Sequence, residues 1–335
     1  MRTIPPVRRR VIRRVAYAAL RASAYGGYAG LILDFRAMLP DEVRGRIALF
    51  FGERGRAWME ALPGVVADLE RRWELRLGAS AYGGGSHSLV LPVTRGDGTP
   101  AVLKVPVRDG ENRLEAVALR LYAGDGAALL YAADEPTGAL LLERLEPGTP
   151  LFLLPDRDLA IDTASALLRR LQRPAPADHR FRPVPHMVRG WSRTVPAGLA
   201  RHRDPLPAPV RRAALAALEA LEAPADGGRP VLVNRDGHTH NMLAAEREAW
   251  LLIDPKPLVG EPAFDGGWLL IDALRPAPSA AAADRFAERI GAGLGVPTDR
   301  VRAWALCRAV EDVLWHLDQG EDPALYAAVA ASLAG

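Results

Sequence analysis

The stretch Val231–Lys256, VLVNRDGHTHNMLAAEREAWLLIDPK, decides the fold. An apolar run, Val231-Leu232-Val233, gives way to the polar cluster Asn234-Arg235-Asp236, and Asn241 stands five residues past Asp236. Two more short apolar runs, around Met242-Leu243 and Trp250-Leu251-Leu252-Ile253, are separated by the polar turn Glu246-Arg247-Glu248, and the second ends on Asp254. Short apolar runs bounded by polar turns predict strands. A hairpin between Asn241 and Asp254 would bring those two residues together.

That order of side chains suits phosphoryl transfer. One carboxylate must sit near an acceptor hydroxyl, to orient it and take its proton, while two further oxygens hold Mg²⁺ against nucleotide phosphates. Asp236 fits the first role, and Asn241 and Asp254 the second. Singly, each is equally an ordinary loop former or strand-end cap; the three in this order favour the chemical reading.

Composition narrows the field. Of the 335 residues, 49% are hydrophobic and 25% charged, the balance of a globular chain long enough for two lobes with a real core. The formal charge of +3 gives little support to nucleic-acid binding, which shows as a concentrated basic face. The single cysteine, Cys307, excludes an internal disulfide and suits a reducing cytoplasm; its surroundings predict a buried helix residue. Only two of the 43 basic residues are lysines, Lys104 and Lys256. Where Arg has replaced Lys nearly everywhere, a surviving lysine is either a chance remainder or marks a place where a compact ammonium is wanted. Both fall inside motifs chosen on other grounds.

Residues 1–37 hold seven arginines before the first acid, Asp34. The apolar part, 16–33, is interrupted by Arg21 and Gly26-Gly27, so no integral membrane segment is expected, and no signal-peptide cleavage pattern is present. A basic amphipathic helix and an extension without catalytic role both fit, and Met38 would serve as an alternative start. From Pro40 to Glu74 the pattern is helical, with Asp41 as a candidate cap and apolar positions at 62, 65, 66, 69 and 73.

Strands are predicted at 89–93 and 101–106, with a glycine loop, Gly83-Gly84-Gly85-Ser86, before the first and a tight turn between them. Such a loop can lay backbone N–H groups over phosphates; no Gly-Lys-Ser/Thr follows, so it is not a Walker A loop. Lys104, amid apolar neighbours, needs a partner. Glu115 on a helix predicted over 110–122 is the first candidate and Glu111 the competitor. Strands at 128–132 and 139–142 run into a polar joint, Glu143–Gly148, where Glu143 and Leu145 could offer main-chain groups to an adenine. Helices are then predicted at 158–172, 187–201, 209–221, 264–273, 280–291, 298–319 and 323–333, with a loop over 173–185. A β-rich part followed by an α-rich part is an α+β pattern of two lobes: 38–147 for the nucleotide and 148–335 for catalysis and the acceptor.

These residues together resemble the protein-kinase-like fold, and within it the aminoglycoside phosphotransferases of the streptomycin 6-phosphotransferase and hydroxyurea-resistance kinase group. The likeness spans about residues 45–320. It rests on Arg56-Ala57-Trp58, the glycine loop, Gly98-Thr99-Pro100 through Lys104, Glu115 with Ala118-Leu119-Arg120-Leu121, Leu141–Leu145, Asp236 with Asn241, Ile253-Asp254-Pro255-Lys256, and Gly260–Asp265. The resemblance implies a small antiparallel N-terminal sheet with one key helix and a larger helical C-terminal lobe. It implies ATP and Mg²⁺, with Asp236 as base, Asn241 and Asp254 as metal ligands, and Lys104 on phosphates and paired to Glu115. It further implies transfer of the γ-phosphoryl group to an antibiotic hydroxyl. Two departures stand out: Asn234-Arg235 where the family often has His-Gly, and Gly237 where it often has a bulky apolar residue, which predicts a looser loop.

Only ten residues separate Asp254 from Asp265, too few for a protein-docking segment, so a small-molecule acceptor is expected. A cationic acceptor would call for acids on the helical lobe; Asp265, Asp272, Glu311 and Asp312 are candidates. Three rivals remain: a zinc site on His238-Thr239-His240, a non-catalytic pseudokinase, and a kinase of a biosynthetic intermediate or other metabolite. The other histidines lack ligand spacing, and Lys104, Asp236 and Asp254 are all present, against the first two. The sequence leaves the third, and the oligomeric state, open.

Overall fold

The computed structural model describes residues 39–335 apart from 84–86, 110–111 and 224–228. The basic extension, Gly84, Gly85, Ser86 and Glu111 therefore lie outside the described residues. The described chain divides into two units: one runs to Thr149 and takes in Ala244–Ala249; the other comprises Pro150–Leu243 and Trp250–Gly335.

The first unit opens with α1 (Asp41–Arg72), broken at Gly52, where φ is +54°. The expected Asp41 cap is not formed. Pro40 takes the cap position, and the Asp41 carboxylate bonds the Arg44 side chain one turn on. The apolar stripe is as read: Leu62, Val66 and Leu69 are buried, and Val65 and Trp73 pack beside them.

Beneath lies a five-stranded antiparallel sheet built from β1 (Arg76–Leu77), β2 (Ser88–Thr94), β3 (Pro100–Pro106), β4 (Leu130–Asp134) and β5 (Ala139–Glu143), in the order β1-β2-β3-β5-β4. Leu89, Leu91, Val93, Leu103 and Val105 join the α1 side chains in one core, as the two-residue period of the strands requires. Lys104, between Leu103 and Val105, belongs to the other face. There α2 (Glu115–Tyr122) presents Glu115, Ala118, Leu119 and Tyr122 as its buried side. This helix is shorter than the 110–122 expected, since residues 112–114 form a turn tied by Asp109 and Asn112.

A short strand, β6 (Pro147–Pro150), ends the N-terminal passage. The second unit then supplies α3 (Arg157–Leu171), β7 (Arg182–Pro183), α4 (Val184–Arg201) and α5 (Ala208–Glu222). Next come β8 (Val231–Asn234), the hairpin strands β9 (Met242–Ala245) and β10 (Trp250–Leu252), and β11 (Pro257–Gly260). Helices α6 (Ala263–Leu274), α7 (Ala280–Leu294), α8 (Thr298–Gln319) and α9 (Ala324–Leu333) complete it. The segment 173–185, read as loop, holds β7, which pairs parallel to β11. Two exposed residues are too few to show a period. Antiparallel to β11 on its other side, β8 places Asn234 opposite Pro257.

Helix α8 is the axis of this unit, packing on α6, α7, α9, α5 and α4. Glycine permits the closest approach: a Cβ on Gly267 of α6 would stand 2.4 Å from the Trp304 Cβ of α8. Cys307, in α8, is buried, which pushes its thiol up to about 12. No helix among the described residues is long and apolar enough to cross a membrane.

Candidate active site

In the first unit the lysine finds the expected partner. Lys104 Nζ lies 2.8 Å from both Glu115 carboxylate oxygens, with the two residues 7% and 1% exposed. Sheet and helix hold the charges face to face. A buried ion pair repays its desolvation poorly, while removal of one partner leaves the other charge buried and unmatched.

Glu143 is differently employed. Its carboxylate takes Arg247 Nε and Nη2 at 2.9 Å and the Leu129 N–H at 2.9 Å, and its own N–H donates to the Leu129 carbonyl at 2.8 Å. Its backbone donor is thus used inside the unit, and its side chain anchors the hairpin tip. The Leu145 side chain is buried, and Gly83 is exposed.

In the second unit the site is built on Asn234, at the end of β8. This residue is 2% exposed, and its carboxamide oxygen accepts two backbone N–H groups, Asp236 at 3.1 Å and Lys256 at 2.8 Å. One side chain thereby ties the loop after β8 to the segment before β11. The Arg235 N–H donates to the Lys256 carbonyl at 3.0 Å and reinforces the tie. From below, the Asn234 N–H donates to Asp265 at 2.6 Å, and Gln172 Nε2 donates to the other Asp265 oxygen at 2.9 Å.

Above this base the Asp236 carboxylate stands between two nitrogens. Lys256 Nζ is 3.0 Å from Oδ2 and His238 Nε2 is 3.5 Å from Oδ1. Burial works to raise the Asp236 carboxyl, but the hydrogen bond from His238 and the charge of Lys256 outweigh it, holding the group well below the ordinary carboxylate range. Asn241 donates its Nδ2 to the Asp236 carbonyl at 3.1 Å. Its own carbonyl accepts the Ile253 N–H at 2.8 Å, so the hairpin closes with Asn241 beside the residue preceding Asp254. Asp254 has φ +51°, a left-handed conformation unusual outside glycine. Strain of this kind collects where a side chain must be aimed.

The four candidate acceptor acids do different things. Asp265 is 1% exposed and spent on Asn234 and Gln172, which makes it a support beneath the loop and not a surface contact. Asp272 accepts the Thr239 N–H at 3.0 Å and the Thr239 hydroxyl, and lies 3.6 Å from His240 Nδ1. It also lines a cavity of about 310 Å³ shared with Phe152, Arg157, His240 and Arg275. Burial tends to raise its carboxyl, yet the His240 and Thr239 hydrogen bonds bring it down to about 2. Glu311 and Asp312 flank Arg308 at 3.2 and 3.3 Å, and the guanidinium covers the Trp268 ring at 4.6 Å. Burial pushes Asp312 up to about 6, against the lowering pull of Arg308.

His238 and His240 turn to different carboxylates, Asp236 and Asp272, and His240 stacks on Phe152 at 3.9 Å. No group of three or more His, Cys, Asp or Glu among the described residues could hold a metal, and the zinc reading finds no ligand set. The looser loop expected from Gly237 is also not what is built. Gly237 is buried, donates its N–H to the Asn234 carbonyl at 3.2 Å, and sits so close to Leu168 that a Cβ would come within 2.8 Å of its Cδ2. Sequence reading missed Asn234 as the hub and Lys256 as the partner of Asp236. The scarcity of lysine was the signal for the second; the hub had none, because Asn before a polar turn is common.

An antiparallel sheet with a buried Lys–Glu pair, and a helical unit carrying an Asp–Asn loop ahead of a hairpin ending in Asp, define a phosphotransferase of the protein-kinase-like fold. Solved structures with that fold bear out the architecture. A choline kinase from Streptococcus pneumoniae superposes with a TM-score of 0.56 at 14% identity, over 82% of this chain and 99% of the other. An aminoglycoside phosphotransferase from Alicyclobacillus acidocaldarius gives 0.51 at 15% identity, over 76% and 89%. In sequence, the family model described as aminoglycoside/hydroxyurea antibiotic resistance kinase matches residues 72–320, and the chain belongs to that family. It is 38% identical to the hydroxyurea phosphotransferase of Kitasatospora aureofaciens, over 90% of this chain and 86% of that protein. It is 34% identical to the streptomycin 6-kinase of Streptomyces griseus, over 84% and 92%. The protein is thus an enzyme, a small-molecule kinase.

Proposed function

We propose that the protein transfers the γ-phosphoryl group of ATP to a hydroxyl of an aminoglycoside, with streptomycin the first acceptor to try. The observation that supports this most is the loop geometry: the Asp236 carboxylate gripped by Lys256 and His238, with Asn241 bonded to the Asp236 backbone and closed against Ile253. Asp236 orients the acceptor hydroxyl and accepts its proton as the oxygen bonds to phosphorus. Its depressed pKa keeps it ionised, and the proton passes to it only as the hydroxyl loses it to bond formation.

The donor set fits Mg²⁺, which favours oxygen ligands and keeps several waters, taking one or two protein carboxylates beside the substrate phosphates. Asn241, whose Nδ2 is bonded to the Asp236 carbonyl, offers its carboxamide oxygen, and Asp254, on a left-handed backbone, offers its carboxylate. When bound, Mg²⁺ neutralises phosphate charge. Lys104, braced by Glu115, meets the nucleotide phosphates, and the Leu145 main chain takes the adenine edge. The reaction belongs to the cytoplasm, where ATP is available.

A second acceptor, hydroxyurea, is favoured by the 38% identity to a hydroxyurea phosphotransferase. Coupled ATP consumption with streptomycin, hydroxyurea, a tuberactinomycin and simple polyols separates these readings. Turnover with streptomycin supports the proposal, turnover with hydroxyurea alone moves it to the second acceptor, and turnover only with polyols points to another metabolite.

A further inference from the structure

We infer that the cavity beside the turn at Thr239–His240 is a second ligand site, suited to a small anion on an apolar body, such as an aromatic carboxylate. The site goes beyond the phosphoryl-transfer reading, because none of Asp236, His238, Asn241 or Lys256 lines it.

The cavity measures about 310 Å³, at the low end of small-molecule sites, which run from about 300 to 1,000 Å³. Its walls come from Phe152 and Leu154, the start of α3, the turn at Thr239–His240, the end of α6 and Leu325 of α9, all within the second unit. Much of that wall is apolar, and part of it faces water: Phe152 is 44% and Leu325 38% exposed. Phe152 stacks on His240, with ring centroids 3.9 Å apart and planes at 15°, so flat aromatic surface already stands in the lining. Exposed apolar side chains gathered around a concave surface mark a place where apolar matter binds.

The charges choose the sign of the ligand. Two arginines and one acid line the cavity. The acid, Asp272, is already engaged: one oxygen accepts the Thr239 N–H at 3.0 Å and the Thr239 hydroxyl, and the other faces His240 Nδ1 at 3.6 Å. The arginines are not matched in this way. Arg157 donates Nη2 to the Ala273 carbonyl at 2.7 Å and makes no ion pair among the described residues. The acids beside it turn elsewhere, Asp156 to the Leu159 N–H at 3.0 Å and Asp158 to Arg289 at 3.6 Å and Arg285 at 3.8 Å. Arg275, at the end of α6, has no side-chain hydrogen bond or ion pair among the described residues. Two guanidiniums with open N–H groups beside one satisfied carboxylate form a wall that takes a carboxylate and repels a polycation.

The test is a ligand-observed NMR titration of the full-length enzyme with benzoate, and with benzamide and benzamidine as its neutral and cationic counterparts. Saturating ATP and Mg²⁺ are present throughout, so that benzoate does not report on the phosphate-binding groups. Benzoate is expected to bind with a Kd of about 1 mM, the scale for so small a ligand, and each counterpart at least about fivefold more weakly. Arg157→Gln and Arg275→Gln should each weaken benzoate by about fivefold or more. Arg157 also holds the Ala273 carbonyl; if Arg157→Gln melts early, Arg275→Gln, whose side chain makes no such bond, decides alone. Steady-state kinetics with a turned-over acceptor adds a second arm, in which benzoate should leave the KM for the acceptor unchanged. Equal binding of benzoate and benzamidine, or wild-type benzoate affinity in Arg275→Gln, would overturn the proposal. Competition between benzoate and the acceptor would overturn it too, since the cavity would then be part of the acceptor's own site.

Discussion

At the scale of single residues the account stands on two pairs, Lys104 with Glu115 and Lys256 with Asp236. Replacing Lys104 by Met leaves the Glu115 charge buried and unmatched, so both function and fold should suffer. The expected outcome is a drop in kcat/KM of about 10²-fold or more, together with a stability loss of about 3–5 kcal/mol. Urea denaturation and steady-state kinetics on the same preparation check both; the double replacement with Glu115→Leu should recover stability without recovering rate. Asp265 offers a pH test. Burial pushes its carboxyl up to about 7 from an ordinary 3.8, so the folded chain binds this proton more tightly than the unfolded one. The cost of its charge is present in full above about pH 7 and shrinks as pH falls toward the unfolded value. Relative to wild type, Asp265→Asn should therefore show a larger stability deficit at pH 5 than at pH 8 in urea titrations. A deficit that does not change with pH would remove the assigned shift.

Helices and strands were legible wherever a period could run. The stripe at 62, 66 and 69, the alternation through 89–93 and the limits of α8 all follow from side-chain spacing. Elements below that length, such as β7, could be found only by the partner they pair with. The start of α4 was read three residues late because Pro185 looked like a loop residue, while its fixed φ suits the first turn of a helix. The loop after β8 shows the same division. Asp236, Asn241 and Asp254 announce themselves by order, but that Asn234 ties two segments together, or that Asp265 lies under the loop, depends on contacts between residues 22 and 31 positions apart. Close packing of α6 on α8 is the element most exposed to a small change. Gly267→Ala would set a methyl 2.4 Å from the Trp304 Cβ and about 3 Å from backbone, and should cost about 1–3 kcal/mol, read as a lower urea midpoint at unchanged slope. A neutral substitution there would mean the helices pack less tightly than described.

Across the whole molecule, the residues assigned to ATP and Mg²⁺ are divided between the two units, Lys104 and Glu115 in one, Asn241 and Asp254 in the other. Addition of ATP and Mg²⁺ at about 100 times Kd should raise stability by about 2.7 kcal/mol, seen as a higher melting temperature. Asn241→Ala and Asp254→Asn should lose the part that depends on Mg²⁺; an unchanged shift in both would remove them as ligands. The acceptor was the least legible feature: the candidate acids Asp272, Glu311 and Asp312 stand on two helices far apart in the chain and form no local motif. The most direct test of the central claim is mass spectrometry of streptomycin and of hydroxyurea after incubation with ATP, Mg²⁺ and either the wild-type enzyme or Asp236→Asn. The account predicts one added phosphoryl group on at least one of these acceptors with wild type and none with the variant; equal phosphorylation by both enzymes would contradict it.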